Sequence, residues 1–228
     1  RGLPVLHTLH LPPIVEAVVA AASRVEPARL ATVSRSCSAA WRAAGVDVPL
    51  VLLNGVPDTP VDGRPDRAAL IAGRISPEKG IEHGLAAART AGLAVRVAGS
   101  HYDPAYAVDL GGAELLGSLP RQELLGVMAR SAVTICAVRW DEPFGMVAAE
   151  AQMAGCPVAA YRRGAMPEVV EDGVSGFLAP PDDIEELAEA VRRCMTLDRA
   201  AVRASALRRL MLDAALDRYE RALTAAAL

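Results

Sequence analysis

Two glutamates, Glu142 and Glu150, stand eight positions apart in the stretch WDEPFGMVAAEAQMAGCPV, with an apolar run between them. Pro143 biases Glu142 away from helical backbone, so Glu142 belongs to a loop at a strand's end. The Phe144–Gly145–Met146 backbone then opens a helix whose first N–H groups have no intrahelical acceptor. Glu150 falls on that helix, about a turn and a half in. A loop carboxylate and a helical carboxylate can face one ligand from two sides. Carboxylates chelate vicinal hydroxyls, which points to sugar-like ligands. The competing reading puts both glutamates on the surface. The apolar neighbours of Glu150 weigh against it, because unpaired buried charge is costly.

A second group of candidates lies in GRISPEKG, residues 73–80. Gly73 allows close approach of backbone to a ligand, and Ser76–Pro77 favours a helix start, where free N–H groups attract anions. Arg74 can bridge two phosphate oxygens and Lys79 acts as a point charge. Together they suit a diphosphate. A capped helix start with solvated charges fits the same pattern, which leaves both readings open. No G-K-[ST] follows, so this is not a Walker loop. In RRGAMPEVVEDGVSGFLAPPDD (162–183), Gly164, Gly173 and Gly176 mark turns and Glu168 opens a short helix. A structural role for these glycines is the stronger expectation.

His7 and His10 are spaced to opposite faces of a strand and do not form a metal pair. His83 and His101 have no supporting context. The chain has no D-x-D, H-E-x-x-H, G-x-S-x-G or G-x-G-x-x-G motif. Neither a metal nor a cofactor is therefore expected, and Arg74 and Lys79 would neutralise the diphosphate themselves.

The elements that must hold these residues alternate along the chain. Strands are predicted at 4–10, 30–34 and 49–53, with helices at 12–25 and 36–44. A Gly-, Pro- and Asp-rich stretch at 54–67 reads as an interdomain linker. A second series follows, with strands at 68–73, 94–99, 113–117, 132–138, 157–161 and 176–180. Helices are expected at 78–91, 121–130 and 145–154, and from Asp183 almost to the end. This is an α/β pattern, a parallel sheet covered on both faces, with the ligand beyond the C-terminal ends of the strands. It divides the 228 residues into 1–56 and 57–228.

Composition narrows the class. The chain is 52% hydrophobic and 22% charged, enough for a substantial core, and its 4% aromatics leave Ala and Val to fill it. A net charge of −3 without a basic run argues against nucleic acid. Cys37, Cys136, Cys156 and Cys194 lack metal or redox spacing, as expected for a reduced, cytoplasmic protein. No membrane span is expected, since the longest candidate is interrupted by Glu16. The chain enters its first strand directly from Arg1, and the expectation is that an N-terminal stretch is missing.

Taken in order, these stretches resemble the retaining glycosyltransferases of family 4, which have the GT-B fold of two Rossmann-like domains. GRISPEKG is similar to the family's G-R-x-x-x-x-K-G donor loop, EPFGMVAAE to its E-x(7)-E signature, and GAMPEVVEDGVSGFLAPPDD to the following block. TVSRSCSAAW and VLLNGV resemble the last N-terminal strand–helix pair and the hinge. The resemblance implies that Arg74 and Lys79 hold the diphosphate of a nucleotide sugar and that Glu150 binds its ribose. Glu142 and the amides of the Phe144–Gly145–Met146 turn would meet the donor sugar, and His10, better placed than His7, would contact the sugar in transfer. Departures are VRWD before Glu142, where the family often has Pro-Ser, and RGAMPE in place of a Gly-Gly turn. The resemblance further implies a donor half joined to the end of an acceptor half, residues 1–56, with the acceptor unidentified. A homodimer or a further N-terminal segment or chain would complete that half. A non-catalytic nucleotide-sugar-binding module and a GT-B epimerase are the alternatives.

Overall fold

A computed structural model describes residues 5–103 and 105–227. Pro4, at which the first predicted strand begins, lies outside them. The first unit is a parallel sheet ordered β1 (His7–Leu9), β2 (Leu30–Thr32), β3 (Leu50–Val51). Helix α1 (Glu16–Ala22) joins β1 to β2, and α2 (Arg35–Ala43) joins β2 to β3. Trp41 of α2 is buried among Leu30, Val46 and Val48. Its indole N–H donates to the Leu11 carbonyl at 2.9 Å, tying α2 to the segment after β1. The predicted helix at 12–25 is shorter in the structure. Pro13 keeps Pro12 out of helical backbone, and Val15 at the N-cap offers no side-chain acceptor.

The second unit opens with β4 (Ala68–Ala72), α3 (Ile81–Thr90), β5 (Ala94–Ala98) and β6 (Glu114–Gly117). It continues through α4 (Arg121–Arg130), β7 (Val133–Cys136), α5 (Met146–Met153) and β8 (Val158–Tyr161). Then come α6 (Met166–Val169), β9 (Gly176–Ala179), α7 (Ile184–Cys194), α8 (Arg199–Arg209) and α9 (Leu212–Ala227). The six strands are parallel, in the order β6-β5-β4-β7-β8-β9. Every residue of β7 and of β8 is buried, as a sheet covered on both faces requires. Helix α3 packs with α7, and α5 with α4 and α8. Small residues permit the close approach: a Cβ on Gly84 of α3 would stand 2.8 Å from Ile71 Cδ1. All four cysteines are free and buried.

Chain order reverses between β4 and β7. In open α/β sheets the crevice at such a reversal, beyond the strands' C-terminal ends, is where ligands bind. The two units also touch directly. Leu212 N donates to Val56 O at 2.9 Å, and Val56 N to Leu210 O at 2.8 Å. Gly55 lies so close that a Cβ there would stand 2.6 Å from Leu212 Cα.

Candidate functional site

Arg74 and Lys79 follow β4. Between them Pro77–Lys79 forms a 3-10 turn, and Gly80 then adopts φ 60° and ψ 40°. A Cβ at Gly80 would stand 2.0 Å from the Ala137 carbonyl oxygen, so only glycine lets the turn press on the end of β7. Helix α3 therefore begins at Ile81, not at Glu78 as the sequence suggested. The extra turn carries Lys79 across to the neighbouring strand. Gly73 supports the loop from below: its N–H donates to Ala98 O at 2.9 Å. Neither cation stands free. Arg74 Nη2 lies 3.2 Å from Glu78 Oε1, and its guanidinium stacks on Tyr102 at 4.6 Å. Lys79 Nζ lies 2.7 Å from Glu142 Oε2, in a pair whose side chains are 20% and 14% exposed.

Glu142 follows β7, and its loop is held at several points. Its carbonyl accepts from Ala165 N at 2.9 Å. Gly164 crosses so closely that a Cβ would stand 2.5 Å from Glu142 N and 2.6 Å from Glu142 O. The structural role expected of Gly164 thus has a definite cause. Trp140 Nε1 donates to Glu142 Oε2 at 2.8 Å. Phe144 is buried, and Gly145, at φ 95°, caps α5 without a side chain. The opening N–H groups of α5, from Met146 onward, have no intrahelical acceptor.

These groups line one cavity of about 300 Å³ between the two sheets. His10 and Leu11 beyond β1, Val33 after β2 and Asn54 in the linker form one wall. Arg74, Lys79, Trp140, Glu142 and the residues Phe144, Gly145 and Met146 form the other. Glu150 and Gly73 do not line it. The two glutamates therefore do not converge on this cavity. Glu150 is drawn toward the start of α4, where Arg121 Nε lies 2.8 Å away. Its side chain is only 12% exposed, so it is not a free surface residue either. Cys136 also lines the cavity, but burial, and then the nearby Glu142, push its thiol up to about 12. At neutral pH it is protonated and a poor nucleophile.

Comparison with known proteins decides the class. Residues 63–209 match the family model described as glycosyl transferases group 1. This chain belongs to that family. Among curated glycosyltransferases, it is 38% identical to D-inositol 3-phosphate glycosyltransferase of Saccharomonospora viridis over 52% of this chain and 30% of the relative. The enzyme of the same description from Mycolicibacterium smegmatis is 34% identical, over 72% and 43%. The chain spans less than half the length of these curated relatives. The structure of Anabaena HepE in complex with UDP-glucose superposes with a TM-score of 0.81, at 22% identity, over 92% of this chain and 67% of HepE. AviGT4, a glycosyltransferase involved in avilamycin A biosynthesis, gives 0.76 at 21% identity, over 96% and 67%. The fold is that of the GT-B glycosyltransferases.

In this glycosyltransferase chain, sequence reasoning missed Trp140, Asn54 and Met166 as lining residues. Trp140 had a legible signal, since it follows a central strand of a parallel sheet on the C-terminal side. Asn54 had none, because only the meeting of the two units brings the linker to the cavity. Met166 reaches the site through Gly145, where a Cβ would stand 2.0 Å from its Cε.

Proposed function

We propose that the chain supplies the donor half of a retaining glycosyltransferase, which moves a sugar from a nucleoside diphosphate to an acceptor hydroxyl. The observation that carries this is that one cavity at the chain reversal has Arg74, Lys79, Glu142 and the α5 N-terminus on one wall and His10 on the other. Arg74, Lys79 and the α5 amides bind the diphosphate and stabilise its charge as the bond to the anomeric carbon breaks. Glu142 orients the sugar hydroxyls, His10 contacts the sugar from the facing wall, and Glu150 takes the ribose where the ligand extends past the cavity toward α4. The acceptor oxygen bonds to the anomeric carbon on the face the diphosphate leaves, and its proton passes to the departing phosphate oxygen. No metal is required in this scheme. Crystallisation of HepE with UDP-glucose makes uridine nucleotides the first choice of probe.

The two cations are already paired with carboxylates, so binding exchanges partners instead of filling a bare cationic site. Melting curves with UDP, GDP, ADP and TDP and their sugars identify the donor, because a ligand selective for the folded state raises the melting temperature. Arg74→Ala and Lys79→Ala should each weaken the selected diphosphate by about 1.5–3 kcal/mol, the scale of a charge-assisted hydrogen bond. Unchanged binding in both variants would reduce the loop to a structural turn. EDTA should leave binding intact, and a strong requirement for Mg²⁺ would overturn the charge assignment. Nucleotide release on adding acceptors separates a transferase from a binding module or an epimerase.

A further inference from the structure

Glu142 carries an asymmetry that the proposed donor site does not by itself explain. One oxygen, Oε2, accepts from both Lys79 Nζ at 2.7 Å and Trp140 Nε1 at 2.8 Å. The other, Oε1, takes no hydrogen bond from any described residue. Resting on the functional reading above, we propose that Trp140 is a positioning residue that holds the Glu142 carboxylate for the donor sugar once Lys79 has turned to the diphosphate.

The two donors on Oε2 differ in kind. Lys79 ends a flexible stem with three donors, and a bound anion competes for it. Its ammonium also lies 5.5 Å from the Trp140 ring centroid, within cation–π range. The indole N–H, by contrast, is a neutral single donor fixed in the plane of its ring, so an incoming anion draws it away less than it draws an ammonium on a flexible stem. Trp140 is half-buried and packs against the main core cluster, which limits its freedom to turn away. When Lys79 leaves, Trp140 still fixes Oε2, and Oε1 stays directed by the same geometry. The ligand-free ion pair and the donor-bound carboxylate thus share one position. Without the indole N–H, Glu142 would follow Lys79 or swing into solvent.

A residue that merely packs would behave otherwise. The five-membered rings of indole and imidazole superpose, so His Nε2 can stand where Trp Nε1 stands. Trp140→Phe keeps more apolar bulk but loses the donor. Trp140→His loses bulk and keeps it. Calorimetric titrations with UDP and UDP-glucose, or with whichever pair the melting panel selects, compare both variants with the parent. The diphosphate alone should bind within about twofold of the parent in both, whereas Trp140→Phe should lose about tenfold in affinity for the sugar nucleotide, the scale of one hydrogen bond to a charged group. Trp140→His should recover most of that loss. The inference is overturned if Trp140→Phe binds the sugar nucleotide like the parent, if it loses both ligands by the same factor, or if Trp140→His is no better than Trp140→Phe. A parent that binds no nucleotide of the panel defeats the functional reading first, and this inference with it.

Discussion

Glu142 and Glu150 have the same chemistry and different surroundings. Glu142 shares one oxygen between a lysine and an indole at the cavity, and Glu150 pairs with Arg121 outside it. Their losses should therefore read out differently. Glu142→Ala should weaken a sugar nucleotide about tenfold more than the bare diphosphate, because a sugar contact disappears. It also frees Lys79, which keeps the diphosphate bound. Glu150→Ala should weaken both ligands equally, since both carry the ribose. Calorimetry on the two variants with both ligands makes the comparison. Identical ratios would remove the division of labour while leaving a common site.

Turns, not helices, set the accuracy of the site at the scale of elements. Gly164 has φ 56°, and its missing Cβ leaves room for the Glu142 backbone. Gly92, just past the C-terminal end of α3, has φ 73°, and a Cβ there would meet nothing within 4 Å. Alanine at either position incurs the left-handed penalty of about 1–2 kcal/mol. Only at Gly164 does it also collide with backbone that cannot yield without moving Glu142. Gly164→Ala should thus lower the melting temperature further than Gly92→Ala and abolish preference for the sugar nucleotide over the diphosphate. Equal melting temperatures and equal preferences would show that the loop has slack. Gly80 belongs to the same class, since its contact with Ala137 carries Lys79 to β7.

The whole molecule depends on how its two units meet. Glu168 of α6 accepts from Arg35 N and Ser36 N, both at 2.9 Å, while Ser34 Oγ takes Cys37 N at 3.0 Å. The opening donors of α2 are therefore satisfied partly by their own unit and partly by the other. Glu168→Ala should cost about 1 kcal/mol, as loss of a helix cap does, or about 2–4 °C in melting temperature for a chain of this size. The same variant should bind the diphosphate almost normally, because Arg74, Lys79 and α5 all sit in the second unit. The facing wall is a three-stranded sheet, and the chain spans less than half of its curated relatives. On the proposed reading this chain binds donor and transfers sugar slowly, and a version extended at its N-terminus transfers faster. Comparable turnover by both, with His10→Ala harmless in each, would make that wall dispensable.

What could be read from the chain alone was what neighbours along it decide. Alternating apolar runs and helix periods announced a parallel sheet, because both patterns follow from local backbone geometry. Pro143 announced the loop of Glu142, and Gly73 with Ser76–Pro77 announced a turn after a strand, which the structure forms at Pro77–Lys79. The partners were decided by tertiary structure. Lys79 meets Glu142 across 63 residues because β4 and β7 are adjacent where chain order reverses, and no local rule sets that order. Arg121 claims Glu150 because α4 packs beside α5, and Glu168 reaches α2 because the two units close on each other. A charge's type is written in its residue, but its partner depends on which strand ends and helix starts the packed core brings within about 3 Å, the reach of a hydrogen bond.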